Sequence, residues 1–369
     1  MPGPVVAASV RFSGGPAWVL LEKFPSIGYH RTNATTATGF TSAGTTVQVS
    51  FELADPPVVS RWSVHCPGLN RRAEILNAAE GLVLMRIAFS SRGDGQGQAI
   101  DYFVYRTGPR EPSLHLIPGP CPEVAVPKRV GILPGAGEDY FVVFPVPRFD
   151  KPDTKYEMSV FSSESRSWSS KVARVSKDRE TTFDAMAMHE PSKAVAAGGS
   201  SLARVDLCRG VLLCNVLDED PVLRLLPWPV PPHHRDEHSP LSVRDATLSN
   251  GAIRFVESNV DDNGGWTATV SKRETGSKYW YKCFKADIAS ILAKDSSYSD
   301  LLRQVWDDEA TKRGLNKALG AAPTLSLSSE DVVCFTTDLR STDSEPLMLA
   351  VNVRERRVEP AERSCVKGT

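Results

Sequence analysis

Cysteine is sparse and nowhere closely spaced. The seven residues are Cys66, Cys121, Cys208, Cys214, Cys283, Cys334 and Cys365. No Cys-x-x-Cys pair occurs, which excludes a zinc ribbon or a dithiol redox motif of that spacing. The odd number and wide spacing predict reduced thiols. Cys208 and Cys214, in LCRGVLLCNVL, are expected as small buried hydrophobes. Long apolar runs are also lacking; none approaches the ~20 residues needed to cross a bilayer. The opening stretch MPGPVVAASVRFSGGPAWVLLEK has no basic segment followed by a long apolar core, so no secretory signal is expected. The sequon Asn33-Ala34-Thr35 then reads as a chance match. Together these features predict an intracellular protein, cytoplasmic or nuclear, with no membrane partner.

An excess of one charge is absent as well. Lys and Arg number 43 against 44 Asp and Glu, a formal net charge of −1. Such balance exerts no bulk pull on nucleic acid or anionic lipid, and no nucleic-acid partner is expected. No Gly-x-Ser-x-Gly nucleophile elbow occurs. The glycine-rich stretches GDGQG, from Gly93, and AAGGSS, from Ala196, are followed by strand signals rather than a helix. They read as hairpin loops and not as phosphate cradles. His30, His65, His115 and His189 are scattered with no spacing that suggests a triad. No catalytic residue and no cofactor is expected from these patterns.

What is present is a repeat. Hydrophobic residues are 41% and charged residues 24% of the 369, as in an ordinary globular chain. An apolar strand, a polar turn and a second, often aromatic strand recur. The copies are YFVYRTGPREPSLHLIP, MSVFSSESRSWSS, LCNVLDEDPVLRLLPWP, ATVSKRETGSKYWYK and LAVNVRERRVEPAE. Their equivalent valines are Val104, Val160, Val216, Val270 and Val351. The first four lie about 55 residues apart, near the period of a propeller blade. Gly81, Gly210 and Gly251 each precede a short apolar strand, where a tight entry turn or a positive φ is expected.

Short strands with regular Pro and Gly punctuation argue for an all-β fold. The reading is a β-propeller of about six blades, each a four-stranded antiparallel sheet. Two consecutive β-sandwiches are the simpler alternative. The expected layout is a single propeller-like domain over 1–369. N-terminal strands at 17–70 close the ring, and repeated blades fill 73–284. A helical insertion covers 285–320, a last blade 321–360 and a tail 361–369. The insertion is read from Ile288, Ile291, Leu292, Leu301, Leu302, Val305 and Trp306, whose spacing is helical.

Several of these segments resemble a known family. RGVLLCNVLDEDPVLRLLPWPVP, RDATLSNGAIRFVE, GWTATVSKR, LSLSSEDVVCFTTDL and LAVNVRER, with the leader segments WVLLEKF and VSFELADPPVVSRWSVHCPG, are similar to the domain-of-unknown-function 1618 family, which is expanded in grasses. The resemblance covers roughly Trp18 to Arg356. It implies no agreed activity. The hairpins are also similar to those of F-box-associated and Kelch-like propellers of plant ubiquitin-ligase adaptors. No F-box is recognisable ahead of Trp18, so only the target-binding half of that analogy carries over.

Candidate sites are few. His233, His234, Asp236, Glu237 and His238 form the one local cluster of metal-capable side chains, and the three histidines are its candidate ligands. Pro231, Pro232 and Pro240 make the segment a loop rather than a helix, which favours a solvated connection over a metal site. Asp218, Glu219 and Asp220, and Asp261 with Asp262, are acidic turns without the alternating ligands of a calcium loop. They are candidate binding-surface residues, as is Trp306 if the inserted helix meets a partner. Trp62, Trp168, Trp228, Trp266, Trp280 and Trp306 mostly fall at blade-hairpin positions, where packing between blades is expected rather than a ligand platform. The expected function is a non-catalytic module that binds another protein. The alternative is an enzyme, a hydrolase or a sugar-active one, with a site in a central channel.

Overall fold

A strand with apolar side chains on both faces needs cover on both sides, and the sequence then reads as a nearly unbroken apolar run. LVLMRIAF, from Leu82, is such a run. The computed structural model describes residues 5–9, 15–26, 32–67, 69–90, 98–107, 111–119, 130–148, 155–178, 180–232, 239–260, 266–294, 322–340 and 346–359. It is all-β and falls into two compact units. The larger comprises Gly3–Ala54 and Val59–Pro227; the smaller is built mainly from Trp228–Thr369.

In the larger unit the first sheet has five strands: β1 (Val5–Ala8), β2 (Val19–Glu22), β3 (Ala37–Phe40), β4 (Thr46–Glu52) and β5 (Val59–His65). Its order is β1-β2-β5-β4-β3, and β2 runs parallel to β5 through Leu20–Val59 and Leu21–Ser60. The second sheet is an antiparallel meander of β6 (Leu69–Ala79), β7 (Leu82–Ser90), β8 (Gln98–Arg106) and β9 (Ser113–Leu116). The third repeats it with β10 (Gly131–Pro134), β11 (Tyr140–Arg148), β12 (Lys155–Ser162) and β13 (Ser167–Val175). A short helix, α1 (Phe183–Ala187), follows, its N-terminus capped by the Thr182 hydroxyl accepting from Ala185 N. The fourth meander is β14 (Lys193–Ala196), β15 (Ser201–Asp206), β16 (Gly210–Asn215) and β17 (Val222–Pro227). A parallel pairing of β13 with β17, Arg174 to Val222 and Val175 to Leu223, joins the third and fourth meanders into one eight-stranded sheet. That sheet curls until its ends, β10 and β14, lie side by side.

The packing in this unit follows the period-2 alternation of each strand. Val83, Met85 and Ile87 of β7, with Phe103 and Tyr105 of β8, pack on Val47, Val49, Phe51 and Trp62 of the first sheet. The intervening Leu82, Leu84, Tyr102 and Val104 face Tyr140, Val142, Phe144 and Phe161 of the third sheet. That sheet's other face, with Val143, Met158 and Val160, meets Leu202, Leu212, Cys214 and Leu225 of the fourth. The first strands β6, β10 and β14 are neighbours, and Asn77 Nδ2 of β6 donates to Ala194 O of β14 at 2.5 Å.

The smaller unit holds two further meanders. One is β18 (Arg244–Ser249), β19 (Ala252–Val260), β20 (Trp266–Glu274) and β21 (Tyr281–Asp287). After it come α2 (Ile288–Lys294) and the meander β22 (Ala322–Leu325), β23 (Val332–Arg340), β24 (Pro346–Asn352) and β25 (Arg357–Glu359). Val256, Trp266, Ala268 and Val270 pack on Val333, Phe335, Leu349 and Val351, with Trp266 edge-on to Phe335 at 5.0 Å. The turn joining β18 to β19 is Asn250-Gly251, both at positive φ (51° and 73°), the pattern of a two-residue type I′ hairpin loop.

Val104, Val160, Val270 and Val351 lie in β8, β12, β20 and β24, each the third strand of its meander. Val216 directly follows β16, the third strand of its own. The helical insertion is shorter at its start than the spacing predicts. Lys285 and Ala286 stay in β21, paired with Thr269 and Ala268. The helix begins only after Asp287, whose carboxylate accepts from Ser290 N (3.0 Å) and Ser290 Oγ (2.7 Å). Ile288, Ile291 and Leu292 then turn one face into the core. Leu301, Leu302, Val305 and Trp306 lie outside the described residues. Among the described residues no helix is long and apolar enough to cross a membrane.

Gly210 opens β16 at φ +156°, and a side-chain carbon added there would come within 2.8 Å of Pro227 Cα and closer still to Leu226 O. Gly210→Ala is therefore expected to lower unfolding free energy by about 1–3 kcal/mol. Urea denaturation followed by tryptophan fluorescence checks it; an unchanged midpoint would contradict the close approach.

Candidate interaction surface

The acidic turn between β16 and β17 is built on the parallel β13–β17 pairing. Pro221 O accepts from Arg174 N (2.9 Å), and Leu223 O accepts from Ser176 N (2.8 Å). Lys171 of β13 donates its ammonium to Leu217 O (2.7 Å) and Asp218 O (2.9 Å), which fixes the turn backbone. Arg174 forms an ion pair with Asp220. Asp218, Glu219 and Asp220 are all exposed. Lys171 and Arg174 thus hold the turn from below, and the Asp218 and Glu219 carboxylates project from a fixed backbone.

A second cluster forms where the second and third meanders meet. Tyr140, at the start of β11, is buried. The Arg106 guanidinium lies 5.7 Å from its ring centroid, and the His115 ring of β9 stacks at 6.4 Å. Partial desolvation, then the positive Arg106 and Arg166, hold the His115 imidazole below its usual value. Burial pushes the Tyr140 hydroxyl up to about 12, against the opposing pull of the two arginines. Trp168 closes the apolar floor, with its indole N–H donating to Pro118 O at 2.7 Å and its ring 5.4 Å from Phe161.

In the smaller unit the buried charges hold backbone in place. Arg254 Nη1 donates to Ser329 O (3.0 Å) and Nη2 to Ser326 O, and Asp245 accepts from Leu325 N (2.9 Å). Arg244 pairs with Glu257 at 2.5 Å and reaches Pro231 O. Trp228 stacks on Phe255 at 4.4 Å and meets Trp280 at 5.8 Å, with Arg273 over Trp280 at 6.0 Å. The tryptophans at 62, 228 and 266 are buried in packing positions. Tyr279 and Tyr281, beside Trp280, are 80% and 48% exposed.

Of the residues singled out from sequence, the structure describes Asp218, Glu219 and Asp220. His233, His234 and His238, with Asp236 and Glu237, lie outside the described residues, as do Asp261, Asp262 and Trp306. Among the described residues no group of three or more metal-capable side chains comes together. Cys66, Cys208, Cys214 and Cys334 are buried free thiols, and Cys283 is a half-buried one. Burial pushes Cys214 and Cys334 up to about 12, so neither is a thiolate at neutral pH. The His115–Tyr140 cluster was invisible to spacing because its members come from separate strands. The tyrosines of SKYWYK stood in the sequence, but an aromatic run does not reveal which rings pack and which face solvent.

Residues 205–334 match the family described as a protein of unknown function, DUF1618. The match begins in β15 and ends within β23, so it takes in the acidic turn, the buried Arg244, Asp245 and Arg254, and the exposed tyrosines. No curated protein matches the chain.

Two outcomes follow from these contacts. Arg254→Met leaves the buried Ser326 carbonyl and the partly buried Ser329 carbonyl without their donor, and stability should fall by about 1–3 kcal/mol in chemical denaturation. A loss under 0.5 kcal/mol would mean those carbonyls find other donors. Arg166→Ala removes a positive charge that disfavours the imidazolium, so the His115 pKa should rise toward its ordinary value. An NMR titration of the His115 ring proton reads this directly, and an unmoved curve would place Arg166 out of range.

Proposed function

We propose that this chain is a non-catalytic protein-interaction module whose five-stranded first sheet and five meanders are the six blades of one propeller-like domain. Support for the fold part comes from each unit taken by itself. Successive meanders stack face to face in chain order, and their first strands are neighbours: β6, β10 and β14 in one unit, β18 and β22 in the other. An intracellular setting, cytoplasmic or nuclear, belongs to the same proposal and is consistent with the free thiols.

The observation that carries the functional part is the acidic turn. Its backbone is immobilised by Lys171 and Arg174, while Asp218 and Glu219 remain exposed. A charged loop whose ordering cost is already met in the free protein suits recognition of a basic partner surface.

The test is affinity capture from native extract with the full chain and with Asp218→Lys/Glu219→Lys. A specific partner should appear with the parent chain and fall by about tenfold with the variant. Capture that survives the double substitution would remove the acidic turn from the binding surface. An absence of any partner above background would overturn the module itself.

A further inference from the structure

Among the described residues, each of the smaller unit's two meanders ends in outer strands paired on one side only, and β21 is the longest of them. β21 is the outermost strand of its meander, paired with β20 on one side. Among the described residues no strand pairs with its other side. The unit's other outer strands are shorter: β18 has six residues, β22 four and β25 three. β21 has seven, enough to template a further strand.

The side chains around that edge share one chemistry. Lys278, Lys282 and Lys285 fall within the stretch that leads into and forms β21, and Lys282 and Lys285 are exposed. Lys272, on the neighbouring strand, is already taken by Glu330 at 2.9 Å, and Arg273 donates to Ser277 O at 2.8 Å. Of the nearby acids, Asp287 is occupied by Ser290, which leaves Glu274 against three lysines. The register shift opposite Val270 and Ser271 leaves Cys283 as the extra residue of a bulge, and bulges re-aim the side chains beside them. Tyr279 and Tyr281 provide apolar rings in the same strip, 80% and 48% exposed, while Phe284 packs inward on the core.

We propose that the outer edge of β21 takes up an extended acidic segment of a partner protein as an added strand. The partner's carboxylates would lie on Lys278, Lys282 and Lys285, and its apolar side chains on Tyr279 and Tyr281. Charge selects the occupant: a second copy of this edge would bring lysine against lysine, whereas an acidic strand neutralises them. This rests on the interaction-module reading but uses a different surface from the acidic turn.

The experiment is fluorescence anisotropy with the full chain and a fluorescein-labelled peptide of alternating glutamate and valine. Controls are the same peptide N-methylated at alternate amides, a lysine–valine peptide and single-stranded oligonucleotide. The acidic peptide should bind, and N-methylation should abolish binding because it removes the backbone donors. Lys282→Glu/Lys285→Glu should weaken binding by about tenfold or more with an unchanged circular dichroism spectrum. Tyr281→Ser, at an exposed position, gives an independent variant expected to weaken binding severalfold. No binding of the acidic peptide, equal binding of the N-methylated form, or tighter binding of the oligonucleotide would each overturn the proposal. If extract capture still yields a partner while the acidic peptide fails, the module stands and the β21 site falls.

Discussion

The constraint on which the fold depends is that its meanders are apolar on both faces. β7 shows it in five residues. Leu82 and Leu84 go to one side, Val83, Met85 and Ile87 to the other, and all five are buried. A single four-stranded sheet cannot cover two such faces, and fully burying each of these side chains is worth roughly 1.5–3 kcal/mol. Stacking is then obligatory: the second sheet is covered by the first and the third, and the third by the second and the fourth. Within each meander the neighbour in sequence is also the hydrogen-bonded neighbour in the sheet.

The same constraint explains what could be read in advance. Val104, Val160 and Val270 fall at one and then about two repeat lengths because each occupies the third strand of its meander, and Val351 does so after a longer gap that holds α2. The glycine before an apolar run was legible for a local reason, since Asn250-Gly251 must take two positive φ values. Pairings between distant segments were not legible. The parallel contacts of β2 with β5 and of β13 with β17 rest on two residue pairs each, and two pairs leave no periodic trace. The boundary at 285–287 failed similarly: Lys285 and Ala286 fit a helical pattern, but pairing with β20 keeps them in the strand.

For the site, composition was legible and arrangement was not. The carboxylates of 218–220 could be read as a turn, but not Lys171, 46 residues before Leu217, holding that turn by two carbonyls. Arg254, Asp245 and Arg244 resemble surface charges when read singly. Each is buried because it satisfies backbone or a partner that burial would otherwise leave without a bond.

That division of labour among charges bears on where recognition can occur. A buried arginine tied to two carbonyls is not free to meet a ligand without loosening the loop it holds. Groups without such duties lie at turns and at the outer strand. Lysines on an open edge are a common defence against pairing with a like edge, and the defence works through charge rather than shape. It follows that the defence is selective. An edge lined by Lys282 and Lys285 with Tyr281 beside them repels its own copy, yet its backbone donors and acceptors stay available to a strand of opposite charge. The charge that disfavours pairing of two such edges therefore also narrows the partners this edge can accept.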